Sequence, residues 1–121
     1  MVLEAEQGYP HEVCGILLGL DGALTEAWPT KNLNEVRSRD RYLIDPQDQL
    51  RIEKDARVRG LEVLGYYHSH PDHPALPSST DLELSWEGVI YVIVGVEAGK
   101  VAAVTAWRRE VGQRAFIEEA L

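Results

Sequence analysis

Two histidines and an aspartate follow one another at a spacing that suits a metal ion. The chain reads His68-Ser69-His70. Seven residues then separate His70 from Ser78, and Asp81 stands three positions after Ser78. Histidines at i and i+2 of a strand point to the same face, so both imidazoles can reach one ion. Two imidazoles and one carboxylate leave a fourth position for water, which is typical of a catalytic zinc site. The spacing therefore predicts a metal site formed by His68, His70 and Asp81.

The specificity of this signal comes from the complete pattern. A lone His-x-His pair is weak, because histidine pairs on strands are often ordinary surface or core residues. The five positions together would arise by chance at odds on the order of one in ten thousand or less at average composition. A functional site is therefore favoured over coincidence. The metal is expected to be zinc, although the same ligands suit iron, cobalt or manganese in principle.

A metal-dependent hydrolase also needs a group that takes a proton from the attacking water. Glu12, which lies just before an apolar run beginning near Cys14, is the best candidate. The sequence alone does not bring Glu12 to the metal, and a glutamate beside a histidine is more often a solvated pair. The helical His-Glu-x-x-His zinc motif is excluded, because Gly15 stands where its second histidine would be.

Segment 9–15, with Leu18-Gly19 and block 68–81, resembles the JAMM (MPN+, JAB-domain) metalloprotease family in its compact prokaryotic form. The family signature is a glutamate, then His-Ser/Thr-His, seven residues, Ser, two residues and Asp, and this chain has all five functional positions. The resemblance covers nearly the whole chain and implies a three-layer α/β/α fold of the cytidine-deaminase-like type. Relatives usually open with a strand and a longer first helix, so we expect that element to be absent or to lie upstream.

The resemblance also implies a reaction, with a role for each residue. One zinc ion per chain would be held by His68, His70 and Asp81. Glu12 would activate the attacking water and pass its proton to the leaving amine. Ser78 would hydrogen-bond the oxyanion, and it could cap a helix at the same time.

The implied activity is that of a zinc-dependent peptidase or isopeptidase. Its substrate would be an amide bond at the C-terminus of a ubiquitin-like or sulfur-carrier protein ending in Gly-Gly. No nucleic-acid or membrane partner is expected, and the protein would be a monomer or a homodimer.

The composition agrees with one small domain, which we expect to span residues 1–121. The net charge of −8 argues against nucleic-acid binding, because phosphate contacts need clustered Lys and Arg. The basic stretches 37–41 and 51–59 are interleaved with acidic residues and are interpreted as solvated surfaces.

The single cysteine, Cys14, excludes an internal disulfide and a Cys-rich zinc site. With no apolar run long enough for a membrane span and no secretory signal, a cytoplasmic location is expected.

The pattern of apolar and turn residues indicates a mixed sheet flanked by helices. Asp45 and Pro46 favour a helix start, Ser79 is a plausible cap for a later helix, and Asp21-Gly22 favours a hairpin turn. The predicted helices are 2–7, 46–60 and 80–86. The predicted strands are 14–20, 23–30, 42–44, 61–70, 89–96, 101–107 and 114–118.

Three other classes of protein are alternatives to the metal-dependent hydrolase. A non-catalytic scaffold of the same fold is disfavoured by retention of the complete motif. A zinc deaminase is disfavoured because its His-x-Glu and Pro-Cys-x-x-Cys patterns are absent. A thiol hydrolase would need Cys14 as its nucleophile, but a cysteine at the start of an apolar strand is more often a buried small residue.

Several residues near the motif receive a structural interpretation. Ser69 alternates away from the two histidines and is expected to be structural. Asp72 and His73 could form a second metal site, but a loop rich in proline more often simply exposes such residues. The three tryptophans are expected to pack in the core or at its rim, and an exposed one could grip a peptide tail. They are Trp28, Trp86 and Trp107.

Overall fold

A computed structural model describes residues 1–34, 42–83, 85–109, 111–112 and 115–119. Three helices and six strands are formed by this part of the chain. The elements are α1 (Val2–Gly8), β1 (Cys14–Leu20), β2 (Ala23–Thr30), α2 (Pro46–Arg59), β3 (Glu62–Pro71), α3 (Ser79–Glu83), β4 (Ile90–Glu97), β5 (Lys100–Arg109) and β6 (Phe116–Glu119). No helix in these ranges is long and apolar enough to cross a membrane.

The six strands form one mixed sheet in the order β2-β1-β3-β4-β5-β6. Only the central pair, β3 and β4, is parallel, and the other neighbours are antiparallel. A parallel pair needs a crossover connection, and here the connection contains α3. The chain between β3 and β4 is therefore free to carry a site residue back over the sheet.

The hairpins β1–β2 and β4–β5 use left-handed turn residues. Asp21 and Gly22 have φ values of 51° and 79°, and Ala98 and Gly99 have 48° and 85°. Positive φ at both central positions is the requirement of a type I′ turn, whose twist matches that of the flanking strands. The hairpin predicted at Asp21-Gly22 is confirmed.

Helices cover both faces of the sheet, so the predicted three-layer α/β/α arrangement is confirmed. On one face, Ala5 of α1 packs against apolar side chains of the central strands, among them Leu17, Val92 and Val94. On the other face, Ile52 and Ala56 of α2 pack against β1. The partners of α2 in this second cluster include Ile16, Leu18 and Tyr66.

Helix α2 begins and ends on signals visible in the sequence. The Asp45 side chain accepts a hydrogen bond from the Gln47 amide, and Gly60 ends the helix in the left-handed conformation at φ 74°. The buried face of α2 is narrow and consists of Ile52 and Ala56. Leu50 and Val58 are 54% and 86% exposed, since their side chains point away from the sheet.

Two predicted elements differ in the structure. Segment 42–44 does not form a strand: only Ile44 pairs, in an isolated bridge with Asn32. Helix α3 starts at Ser79 and ends at Glu83, rather than covering 80–86. Its cap is Ser78, not Ser79, because the Ser78 hydroxyl accepts the hydrogen bond from the Asp81 amide.

Strands β1 and β2 have the predicted ends, and the ends of the other four strands differ from the predictions by one or two residues. The last strand begins at Phe116, and the predicted start at Arg114 lies outside the described residues. The basic stretch 37–41 also lies outside them. In stretch 51–59, Arg51 pairs with Asp48, and Arg59 pairs with Glu26 and Asp55, as expected for a solvated surface.

Candidate active site

The three predicted metal ligands converge at one end of β3. Nε2 of His68 lies 3.0 Å from Nε2 of His70. The Asp81 carboxylate reaches both rings, with Oδ1 at 3.2 Å from His68 Nε2 and Oδ2 at 3.1 Å from His70 Nε2. Ligand atoms around a tetrahedral zinc ion lie about 3.3 Å apart, given zinc–nitrogen distances of about 2.0–2.1 Å. The donor set therefore fits one ion, and no other such group occurs among the described residues.

Strand alternation and a close loop contact bring these ligands together. His68 and His70 share a face of β3, and the parallel partner of His70 on β4 is Gly95. A Cβ at Gly95 would lie 3.2 Å from the Ala75 side chain, so this glycine lets the loop after β3 lie close to the sheet. The Thr105 hydroxyl donates a 2.6 Å hydrogen bond to the Ala75 carbonyl and fastens the loop there. The chain then enters α3, which carries the aspartate.

Ser78 and Asp81 form a reciprocal capping box at the start of α3. The Asp81 amide donates to the Ser78 hydroxyl at 3.0 Å, and the Ser78 amide donates to Asp81 Oδ2 at 2.9 Å. The spacing Ser-x-x-Asp is thus the spacing of a helix start. It holds the carboxylate in the orientation that faces the two histidines.

Outer contacts orient the two imidazoles. Nδ1 of His70 lies 2.9 Å from the Pro74 carbonyl, which can only accept, so this nitrogen carries the proton and Nε2 presents a lone pair. The ring of Tyr42 stacks on the ring of His68 with centroids 4.5 Å apart and planes 20° apart. His68 is only 1% exposed, and its Nδ1 has no hydrogen-bond partner within the described ranges.

Burial and mutual contacts shift the pKa values of all three groups. Burial lowers the pKa of His68, against the opposing effect of Asp81. Burial also acts to lower the pKa of His70, but the Asp81 carboxylate and the Pro74 carbonyl outweigh it and the pKa is raised. Burial opposes ionisation of Asp81, yet hydrogen bonds from both histidines hold its pKa well below the usual range. An ionised carboxylate beside buried imidazoles is an arrangement that attracts a cation.

Glu12 lies at the same site, although it is distant in sequence. Its side chain is 6% exposed and lines a cavity of about 280 Å³ together with His70, Ser78 and Asp81. A carboxylate that lines the same small cavity as two of the ligands can exchange a proton with a molecule held there. The structure thus brings all five residues of the motif to one place.

Ser69 fixes the backbone next to Glu12, which confirms its structural interpretation. The Val13 amide donates to the Ser69 hydroxyl at 2.9 Å, and the Ser69 amide donates to the Val13 carbonyl at 3.0 Å. Ser69 itself is fully buried and points to the face opposite the histidines. The segment before β1 is therefore attached to the ligand strand.

Two residues at the site were not singled out in the sequence. Asn32 donates a 3.1 Å hydrogen bond from Nδ2 to the Glu12 carbonyl, and Tyr42 covers His68 as described above. Neither residue belongs to a spaced motif, because each reaches the site through the tertiary fold. A local sequence signal for them is therefore lacking.

An aromatic groove of about 310 Å³ lies beside the ligands on the face covered by α2. Tyr42 belongs to it and also stacks on His68, so the groove adjoins the site. Trp86 stands at its rim and is 70% exposed, unlike a core tryptophan. The side chains lining the groove include Tyr42, Ile44, Tyr66, Trp86 and Tyr91.

The structure argues against a nucleophilic role for Cys14. The thiol is fully buried, and burial raises its pKa to about 11. It would therefore remain protonated at neutral pH, whereas a reactive thiol needs the thiolate. The sulfur lies 3.4 Å from the Thr30 hydroxyl. Cys14 is the buried small residue that the sequence predicted.

Asp72 has a structural role in the loop after β3. Oδ2 accepts a 2.6 Å hydrogen bond from the Tyr9 hydroxyl, and Oδ1 accepts a 2.9 Å hydrogen bond from the Ala98 amide. Asp72 and His73 are not part of a metal-binding group in the described part of the chain. The Asp72 carboxylate thus ties the loop after β3 to Tyr9 and to the β4–β5 turn.

The fold and the donor set together define a mixed α/β domain with a candidate metal site. The family model of prokaryotic homologues of the JAB domain matches residues 1–110. The chain belongs to this family, which confirms the resemblance to the JAMM group.

Similar proteins support the assignment to this family. The chain is 39% identical over 87 residues to a desampylase of Haloferax volcanii, a match covering 69% of this chain and 62% of that protein. It is 29% identical over 120 residues to a desampylase of Pyrococcus furiosus, covering 98% and 84%. A CysO-cysteine peptidase of Mycobacterium tuberculosis is 33% identical over 95 residues, covering 78% and 65%. The chain thus spans just under two thirds of the Haloferax and mycobacterial proteins.

Solved structures agree with the fold. The solution structure of a Desulfitobacterium hafniense protein matches with a TM-score of 0.82 at 33% identity, covering 98% of this chain and 82% of that one. The crystal structure of a JAB1/MPN domain protein from Archaeoglobus fulgidus matches with a TM-score of 0.63 at 21% identity, covering 99% and 84%. At that identity the second match supports the fold alone.

Proposed function

We propose that this protein is a zinc-dependent peptidase or isopeptidase. It would hydrolyse an amide bond at the C-terminus of a ubiquitin-like or sulfur-carrier protein. The observation that carries the proposal is the convergence of two imidazoles and one carboxylate beside the buried side chain of Glu12. The three donors would come from His68, His70 and Asp81, one zinc ion per chain.

Each site residue has a task that its position supports. A zinc ion bound by the three donors supplies Lewis acidity to the scissile carbonyl and acidity to the attacking water. Glu12 accepts the proton of that water and later delivers it to the leaving amine. Ser78 accepts a hydrogen bond from the Asp81 amide, so its own hydroxyl proton remains for the oxygen that becomes negative.

The substrate class is supported by the named relatives and by the aromatic groove. The relatives are called desampylase and CysO-cysteine peptidase, names that denote release of a group from a small carrier protein. A groove lined by aromatic side chains next to the metal site suits an extended tail, and a Gly-Gly ending would pass the closely packed ligands without a side-chain clash. Trp86 at the groove rim would contact the residues that precede the glycines.

A cleavage assay followed by mass spectrometry tests the proposal. The substrates are Gly-Gly-ended ubiquitin-like proteins from the same genome, each carrying a C-terminal peptide or a cysteine adduct. We expect release at the Gly-Gly junction, loss of release with a zinc chelator, and recovery when zinc is returned. His68→Ala should lose both bound zinc and cleavage, because two remaining donors hold the ion poorly.

A matched variant controls for the loss of a histidine. His73→Ala removes an exposed imidazole of the same loop that is not among the three donors, and its zinc content should equal that of the unmodified protein. Cleavage that persists in chelator, or full zinc occupancy in His68→Ala, would contradict the proposed site.

A further inference from the structure

Asn32 connects three backbone segments through one side chain. Its Nδ2 donates a 3.1 Å hydrogen bond to the carbonyl of Glu12. Its Oδ1 accepts hydrogen bonds from the amides of Asn34 at 3.0 Å and Leu43 at 2.9 Å. A primary amide donates from one atom and accepts at another, whereas a carboxylate only accepts and a hydroxyl would have to make all three bonds at a single oxygen.

The position of Asn32 places it between the base and a metal ligand. It follows β2, where its backbone pairs with Ile44 and the Leu33 amide donates to the Leu43 carbonyl at 2.8 Å. The residue before Leu43 is Tyr42, whose ring stacks on His68. The side chain of Asn32 thus joins the segment carrying Glu12 to the segment that covers His68.

Side chains hold the peptide between Glu12 and Val13 at both its carbonyl and its amide. Ser69 accepts the Val13 amide on one side of the segment, and Asn32 donates to the Glu12 carbonyl on the other. With the carbonyl and the next amide both held, the direction of the Glu12 side chain is set by its own rotamer. A base that must meet a proton within hydrogen-bond distance loses rate when its backbone can shift.

We infer that Asn32 is a positioning residue for the catalytic base: its amide group fixes the Glu12 backbone and so keeps the carboxylate aligned with the attacking water. This inference rests on the proposed hydrolase function. It also makes a statement about the protein itself, because the loss of the amide should loosen segment 9–15 whether or not a substrate is present.

The test compares Asn32→Asp and Asn32→Ala in the unmodified and the Glu12→Gln backgrounds. Asn32→Asp keeps the acceptor for Asn34 and Leu43 but loses the donor to Glu12. We expect kcat, taken from the plateau of its pH profile, to fall about tenfold or more with KM and zinc content within about twofold. In the Glu12→Gln background the same change should have less than about a twofold effect, because the residue acts through Glu12.

Hydrogen exchange at the Val13 amide supplies a readout that needs no substrate. Exchange at the Val13 amide should be faster in both Asn32 variants than in the unmodified protein. Thr25→Val is the matched control: it removes a side-chain hydrogen bond to the Leu18 carbonyl near the other end of β1, and it should leave kcat and Val13 exchange unchanged.

Three outcomes would overturn the inference. They are an unchanged kcat in Asn32→Asp, an equal loss in both backgrounds, and unchanged exchange at Val13. If the unmodified protein shows no chelator-sensitive cleavage, the proposed function fails on its own. Faster exchange in the variants would then still support the attachment of the Glu12 segment by Asn32. Unchanged exchange would show that Asn32 does not hold this segment.

Discussion

Asp81 serves the helix and the metal site with the same carboxylate. Oδ2 of Asp81 accepts a hydrogen bond from the Ser78 amide as part of a capping box, and the same oxygen lies 3.1 Å from His70 Nε2. The local requirement for a helix start therefore orients a ligand that the site requires. At this scale the Ser-x-x-Asp spacing has a plain physical origin, because three positions separate the cap from the residue that completes it.

Replacing Glu12 by Gln tests its role as the base at the level of one atom. Glutamine has the same shape but cannot take a proton, so cleavage should fall on the order of a hundredfold or more, the magnitude of a lost general base. Zinc content, measured by mass spectrometry of the metal, should stay at one per chain, since Glu12 is not among the donors. Normal turnover by this variant would remove Glu12 from the mechanism.

At the scale of elements, β3 and the loop after it position the ligands, while α2 covers the face they occupy. The helix stops at Gly60, whose amide donates to the Arg57 carbonyl, and the Leu61 amide returns to the Ala56 carbonyl at 2.8 Å. This ending turns the chain directly into β3. The strand then runs from the helix end to the metal ligands.

Gly60→Ala should destabilise the fold without altering the site. The residue has φ 74° and a Cβ there would contact nothing within 4 Å, so the cost is the left-handed backbone alone, about 1 kcal/mol. Urea unfolding measures this change, and zinc content should be unaffected. Gly60→Asn is the comparison, because asparagine tolerates this conformation better and should lose less. Equal stability of all three proteins would show that the turn carries no strain.

At the scale of the whole molecule, the active-site cavity and the aromatic groove share one face of the sheet. Tyr42 belongs to the groove and stacks on His68, so a chain lying in the groove would end at the metal ligands. An exposed tryptophan at the rim is the largest apolar contact available to such a chain. The groove is therefore the part of the molecule on which the proposed binding of an extended tail can be tested.

Trp86→Ala is expected to weaken substrate binding more than chemistry. Trp86 is 70% exposed and would contact the substrate tail away from the reacting atoms, so its removal should raise KM several-fold while kcat stays within about twofold. Steady-state kinetics on the tailed carrier protein measure both values. Val58→Ala removes an exposed apolar side chain of α2 that does not line the groove and should change neither. A fall in kcat with an unchanged KM would contradict the role of the groove.

The sequence by itself determined the residues that a metal site needs and most of the elements that carry them. His68 and His70 alternate on a strand, Ser78 and Asp81 are spaced as a helix start, and Asp21-Gly22 forms the predicted turn. These are local relations, in which a period of two or a separation of three residues decides geometry. Local patterns were less reliable at 42–44 and 80–86, where single pairings and caps set the ends.

Only the tertiary structure decided how distant segments meet at the site. The attachment of Val13 to Ser69 joins residues 56 apart, and that of Asn32 to Glu12 joins residues 20 apart. The stack of Tyr42 on His68 likewise has no counterpart in spacing. Such contacts depend on strand order and layer packing, which many sequences share and no short motif encodes. The ligands could therefore be named from the chain alone, whereas the surroundings that align them could not.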